Sequence, residues 1–141
     1  MQRDEVVFFV DRCLGAHTVP DALREAGANV EVHGAHFPPD ASDPDILRFV
    51  GSRGWAFLSK DENIRRRPAE RQALVEADVA AFILTAGRAK GEVTAAAFVA
   101  ALDRMRRICR AYARPVIATV SAAGVVAVIE GVRRGGVRRE T

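Results

Sequence analysis

Residues 6–10 read Val6-Val7-Phe8-Phe9-Val10, and the run stops at Asp11. Five consecutive apolar residues, all β-branched or aromatic, suit a strand covered on both faces, as the central strand of a parallel sheet is. An acidic side chain directly after such a strand is costly to keep there unless something uses it. These six residues set two expectations at once, a layered α/β fold and a functional group at the strand's carboxyl end.

Outward from this strand, helical and extended patterns alternate. Pro20 and Asp21 open a short helix over 22–26 that Gly27 ends. Residues 29–33 (NVEVH) alternate and predict a second strand nearer an edge, and 34–42 (GAHFPPDAS) form a loop. Ser42 or Asp43 then caps a helix with Pro44 in its first turn. That helix carries Ile46, Leu47, Phe49 and Val50 and ends near Gly51 or Gly54. A third strand, 55–58 (WAFL), runs into Ser59-Lys60-Asp61, and residues 62–67 follow, with a break at Pro68 and then a helix through Glu76. A fourth strand is expected at 79–84. A long helix follows over 92–112, with Phe98, Leu102, Met105, Cys109 and Tyr112 as its apolar stripe. A fifth strand follows Pro115, and 125–129 can form a sixth. Strands alternating with helices predict a three-layer α/β/α sandwich around a central, mainly parallel sheet, with right-handed crossovers. In such sheets function sits at the carboxyl ends of the strands.

Composition agrees and removes several classes. A chain of 141 residues with 49% hydrophobic and 28% charged residues supports one ordinary core and is neither disordered nor membrane-embedded in composition. No apolar run approaches the ~20 residues that cross a bilayer, and the opening MQRDEVVFFVDR lacks the order of a signal peptide. A cytoplasmic setting is expected. Cys13 and Cys109 show no metal-ligand spacing and suit a reducing compartment. His17, His33 and His36 can be imagined as metal ligands, but solvated histidines are the expectation. The net charge of +3 resides in the tail, where Arg133, Arg134, Arg138 and Arg139 outweigh Glu140. The expected division is a domain over 1–132 and an Arg-rich, disordered tail over 133–141, for which a nucleic-acid arm or a partner contact is the alternative. Within the balanced body, 48–67 is locally basic and can attract phosphate.

Two strands end in aspartate, at Asp11 and Asp61, and Asp43 opens the helix leading into the third strand. Each has a plain structural reading: Asp43 as a helix cap, Asp61 as a turn residue. Brought together at one rim, three carboxylates need a cation, and hard oxygen ligands select Mg²⁺ or Mn²⁺. Such an ion activates water and neutralises charge on a phosphoryl group, and two ions about 3.5–4 Å apart clamp attacking and leaving oxygens.

The opening VFFVDRCLG, the helix start Asp43-Pro44-Asp45-Ile46 and the stretch GWAFLSKDENIRRRPAERQAL together resemble the PIN-domain superfamily, in its compact PIN-like branch related to VapC-type toxins. The resemblance runs from about residue 5 to about 120. It implies that Asp11, Asp43 and Asp61 are catalytic metal ligands and that Ser59 orients Asp61 or a metal-bound water. Asp45 competes with Asp43 in the same helical turn. Asn63 stands where many relatives carry a fourth acid, and the usual acid between the first strand and the Asp43 helix has no clear counterpart, with Asp21 and Glu25 unconvincing. Arg65, Arg66 and Arg67 follow the motif and can hold an RNA backbone. The implied activity is a Mg²⁺- or Mn²⁺-dependent endoribonuclease acting on single-stranded RNA, often paired with an antitoxin protein and often a homodimer. The alternative is a PIN-like binding module with weakened chemistry. A receiver domain lacks its second acid and its lysine, a haloacid-dehalogenase-like phosphatase would need an acid where Cys13 stands, and a dinucleotide fold lacks its glycine-rich turn. Trp55 is expected in the core, with base stacking as the alternative.

Overall fold

The computed structural model describes residues 6–134, apart from the side chains of Glu62 and Arg65. Six strands, β1 (Val7–Val10), β2 (Asn29–Val32), β3 (Ala56–Ser59), β4 (Ala80–Leu84), β5 (Tyr112–Val120) and β6 (Val126–Arg133), form one sheet in the order β2-β1-β3-β4-β5-β6. The first five are mutually parallel, and β6 returns antiparallel along β5. The helices are α1 (Thr18–Glu25), α2 (Asp43–Arg53), α3 (Glu62–Arg66), α4 (Pro68–Glu76) and α5 (Gly91–Ala111). The α/β/α architecture read from the sequence is the observed one.

Strand alternation divides the core into two layers. Phe8, Val10, Leu58, Phe82, Leu84 and Ala118 face one side, where Val19 and Leu23 of α1 and Phe98, Met105 and Ile108 of α5 cover them. Phe9, Phe57, Ala81, Ile83 and Ile117 face the other, against Ile46, Leu47 and Val50 of α2, Ile64 of α3 and Leu74 of α4. Phe8, Phe9 and Val10 of β1, which point to both faces, are therefore fully buried, which is why the run is uninterrupted apolar.

The layering corrects one expectation. Crossovers β1-α1-β2, β2-α2-β3 and β3-α3-α4-β4 share one hand. The β4-α5-β5 crossover advances in the same direction as the last of these but with its helix on the α1 face, so its hand is opposite. The usual right-handed preference gives way because α2, α3 and α4 already fill the other layer, while the apolar face of β4 and β5 beside α1 has no other cover.

Several boundaries also move. Helix α1 starts at Thr18, four residues before the expected 22, because Pro20 falls in its first turn, where a missing N–H costs nothing. Strand β5 begins at Tyr112, directly at the end of α5, instead of after Pro115. Strand β6 runs through Arg133, whose guanidinium lies 5.3 Å over the Tyr112 ring, and Arg134 N–H donates to the Ala111 carbonyl at 2.7 Å. The first two arginines of the expected tail thus belong to the folded domain, and 135–141 lie outside the described residues. Trp55 packs among Phe9, Phe49 and His36, with ring centroids 5.5–6.4 Å away, so its place is in the core. No helix among the described residues is long and apolar enough to cross a membrane.

Candidate metal centre at the strand ends

The adjacent pairing of β1 and β3, with Val10 opposite Leu58, places Asp11 and Ser59 side by side at the carboxyl edge. Asp11 N–H continues the ladder by donating to the Leu58 carbonyl at 2.9 Å. Its carboxylate accepts from Arg12 N–H at 2.8 Å and from the Ser59 hydroxyl at 2.8 Å. Ser59 is fully buried, and its oxygen accepts from Asp61 N–H at 3.2 Å. One hydroxyl thereby fixes the strand-end geometry of two aspartates. Asp61 caps α3, its carboxylate accepting from Asn63 N–H at 2.9 Å.

Ser42, not Asp43, caps α2, accepting from Asp45 N–H at 3.3 Å. The Asp43 carboxylate is left for another partner, and oxygens of Asp43, Asp61 and Glu70 all lie within 4.8 Å of one another. Glu70 sits in the first turn of α4, two residues after Pro68 starts that helix, and Arg67 pairs with it at 3.6 Å. Sequence reasoning missed Glu70; the Pro68 helix start was the signal, because it turns the next acid back toward the strand ends. Below these carboxylates, a cavity of about 220 Å³ has apolar walls from Ile46, Leu47, Phe57, Ile64 and Ala73.

Other sequence candidates lie elsewhere. Asp45 is exposed and paired with Arg48, outside the cluster. Asn63 is exposed and contributes only its N–H to Asp61. Arg66 is exposed on α3, Arg67 is engaged with Glu70, and the Arg65 side chain lies outside the described residues. Asp21 pairs with Arg24 at 3.8 Å, and His36 with Glu31 at 2.7 Å. None of the three histidines belongs to the carboxylate group.

Carboxylate oxygens alone make a hard donor set. Two ligands of one Mg²⁺ at about 2.1 Å stand at most about 4.2 Å apart, so a separation of 4.8 Å closes with small side-chain rotations. The electrostatics point the same way. Desolvation, then the charges of Asp11 and Asp61, push the Asp43 carboxyl above its ordinary range, with Arg12 and His33 opposing. Burial and the Asp11 charge likewise raise the Cys13 thiol, 3.5 Å from Asp11 and 3.4 Å from Ser59, and burial pushes Cys109 up to about 12. Neither cysteine is an activated nucleophile, since that role needs a lowered pKa.

Two predictions arise here. Ser59→Ala removes the shared hydroxyl and is expected to cost about 1–3 kcal/mol in denaturant unfolding. It should also weaken divalent-metal binding roughly 10- to 100-fold; unchanged affinity would deny Ser59 its positioning role. The second concerns pH. A carboxyl raised in the folded state binds its proton more tightly there than in the unfolded chain. Its contribution to stability is full below the unfolded value of about 3.9 and is lost as pH rises through the folded value. Without metal, the parent should therefore lose melting temperature relative to Asp43→Asn as pH rises above about 4, and Mn²⁺ should close the gap. A pH-independent gap would contradict the crowding of Asp43 by its neighbours.

A layered α/β domain with carboxylates gathered at the carboxyl rim of a parallel sheet defines the broad class. Comparison with known proteins narrows it: residues 6–86 match the family model described as PIN like domain. Over 125 residues, the chain is 32% identical to "Putative ribonuclease VapC45" of Mycobacterium tuberculosis, covering 86% of this chain and 90% of that protein. The chain belongs to the PIN-like domain family. No solved structure matches it.

Proposed function

We propose that this protein is a Mg²⁺- or Mn²⁺-dependent endoribonuclease that hydrolyses RNA phosphodiesters at the acidic rim. The observation that carries the reading is the approach of Asp43, Asp61 and Glu70 oxygens to within 4.8 Å, with Asp11 tied to Asp61 through Ser59. Relationship to a protein named as a ribonuclease supports it.

When bound, a divalent ion supplies charge neutralisation for the phosphate and lowers the pKa of water. Asp43, Asp61 and Glu70 would hold it, with Asp11 outside that group but near enough to Asp43 to raise its carboxyl. Ser59 keeps Asp11 and Asp61 in fixed orientation, and Arg67 restrains Glu70. Glu70 supplies the additional carboxylate that Asn63 does not, and this favours a working centre over a weakened binding module. A cytoplasmic setting, an antitoxin partner and a homodimer belong to the same reading.

The test is cleavage of single-stranded RNA with Mn²⁺ or Mg²⁺ and its loss with a chelator. Cleavage that survives chelation, or none with either ion, would reject it.

A further inference from the structure

We infer that the RNA strand crosses the rim from β2 toward β4, its phosphates held before the acids by Arg12 and beyond them by Lys60 and Arg88. This rests on the ribonuclease reading above, because the acids between the two flanks mark where the scissile phosphate lies.

Sheet order carries the argument. Reading the carboxyl edge along β2-β1-β3-β4, the chain presents His33, then Asp11 and Arg12, then Ser59, Lys60 and Asp61, then Gly87 and Arg88. Three interstrand steps span about 14 Å, the reach of a short run of nucleotides. A cavity of about 340 Å³ opens on the β2 side with Arg12, His33 and Phe37 in its lining. His33 Nε2 is buried there without a hydrogen-bond partner among the described residues. On the β4 side, a cavity of about 510 Å³ is lined by Cys13, Lys60, Asp61, Asn63, Arg66 and Arg88. Asp61 thus belongs both to the carboxylate group and to the wall of the basic cavity.

Arg12 and Arg88 are both exposed, and neither makes a salt bridge among the described residues. Some arginines away from the rim are paired, Arg24 with Asp21, Arg48 with Asp45 and Arg106 with Asp103; what sets Arg12 and Arg88 apart is their place in the walls of the two cavities that flank the acids. Cations on both sides of an acidic centre, Arg12 near enough to Asp43 to offset part of its crowding, attract a polyanion to ground that the carboxylates alone would repel, and guanidinium groups suit phosphate oxygens. Phosphate contacts position a strand without reading its bases, so these residues set where the chain lies and leave its sequence unread.

The experiment measures binding of a short single-stranded oligoribonucleotide, in chelator, as a function of salt. Arg12→Gln and Arg88→Gln should each weaken binding severalfold and each reduce the log–log salt slope by about 0.7, the single-strand value for one lost contact. Arg12→Lys and Arg88→Lys, which keep the charge, should retain the parental slope. Arg104→Gln, an exposed position on α5, should match the parent. Glutamine variants indistinguishable from Arg104→Gln, or a parent that binds no RNA, would overturn the track. Cleavage is read separately. A parent that binds through Arg12 and Arg88 without cutting rejects the nuclease reading alone, and one that cuts RNA while both glutamine variants bind normally rejects the track alone.

Discussion

Asp61→Asn is expected to reduce RNA cleavage about a thousandfold, equivalent to roughly 4 kcal/mol in barrier height, while leaving the fold intact. The two effects separate because Asp61 has two roles. As the cap of α3 it accepts from Asn63 N–H at 2.9 Å, and asparagine keeps an acceptor oxygen and caps about as well as aspartate. As part of the carboxylate group it contributes a negative charge within 4.8 Å of two others, and a neutral amide cannot replace that for a hard dication. Removing one of several crowded charges should leave the metal-free protein unchanged in melting temperature or slightly more stable. Asp45→Asn is the matched control: it lies on the same helix as Asp43 but pairs with Arg48 outside the group, so cleavage should stay at the parental rate. A large loss with Asp45→Asn and none with Asp61→Asn would move the centre elsewhere.

Gly51→Ala should destabilise the domain by about 3 kcal/mol, at the upper end for overpacking. In an exposed helix interior the same change would gain about 1 kcal/mol, so the sign depends on space. A Cβ at position 51 would stand 1.9 Å from the Ala77 carbonyl oxygen and 3.0 Å from its carbon. Both are backbone atoms that cannot rotate aside, so α2 must move away from the end of α4. Against a typical total stability of 5–15 kcal/mol, that is a substantial fraction. The same displacement reaches the carboxylate group proposed to bind metal, since Asp43 begins α2 and Glu70 lies in the first turn of α4. Weaker Mn²⁺ binding by calorimetry should accompany the shift in denaturant midpoint; a more stable Gly51→Ala protein would contradict the close packing.

What the sequence revealed of the site followed from local rules. Apolar runs ending in Asp11 and Ser59-Lys60-Asp61 mark strands and the residues at their carboxyl ends, because short runs of β-branched and aromatic residues suit strands covered on both faces. Asp43 was legible as a candidate ligand through the resemblance, whereas the residues alone left it and Ser42 as rival caps, since that choice requires knowing which side chain meets the backbone. Glu70 was hidden by distance along the chain, because its approach to Asp61 depends on how α3 turns into α4 at Arg67-Pro68. The extents of β5 and β6 were blurred for different reasons. The helical stripe ending at Tyr112 gives no sign that this residue starts a strand, and the polar end of an edge strand looks like a tail until Arg133 is seen over Tyr112. The opposite hand of the α5 crossover is decided by which layer remains open, a property of the whole domain.

The most direct measurement is anomalous diffraction from crystals soaked in Mn²⁺. A peak is expected at the carboxyl rim within coordination distance, about 2.0–2.3 Å, of oxygens from Asp43, Asp61 and Glu70, and it should vanish in Asp61→Asn. A fully soaked crystal with no peak there, or with manganese bound only at other surface acids, would contradict the account.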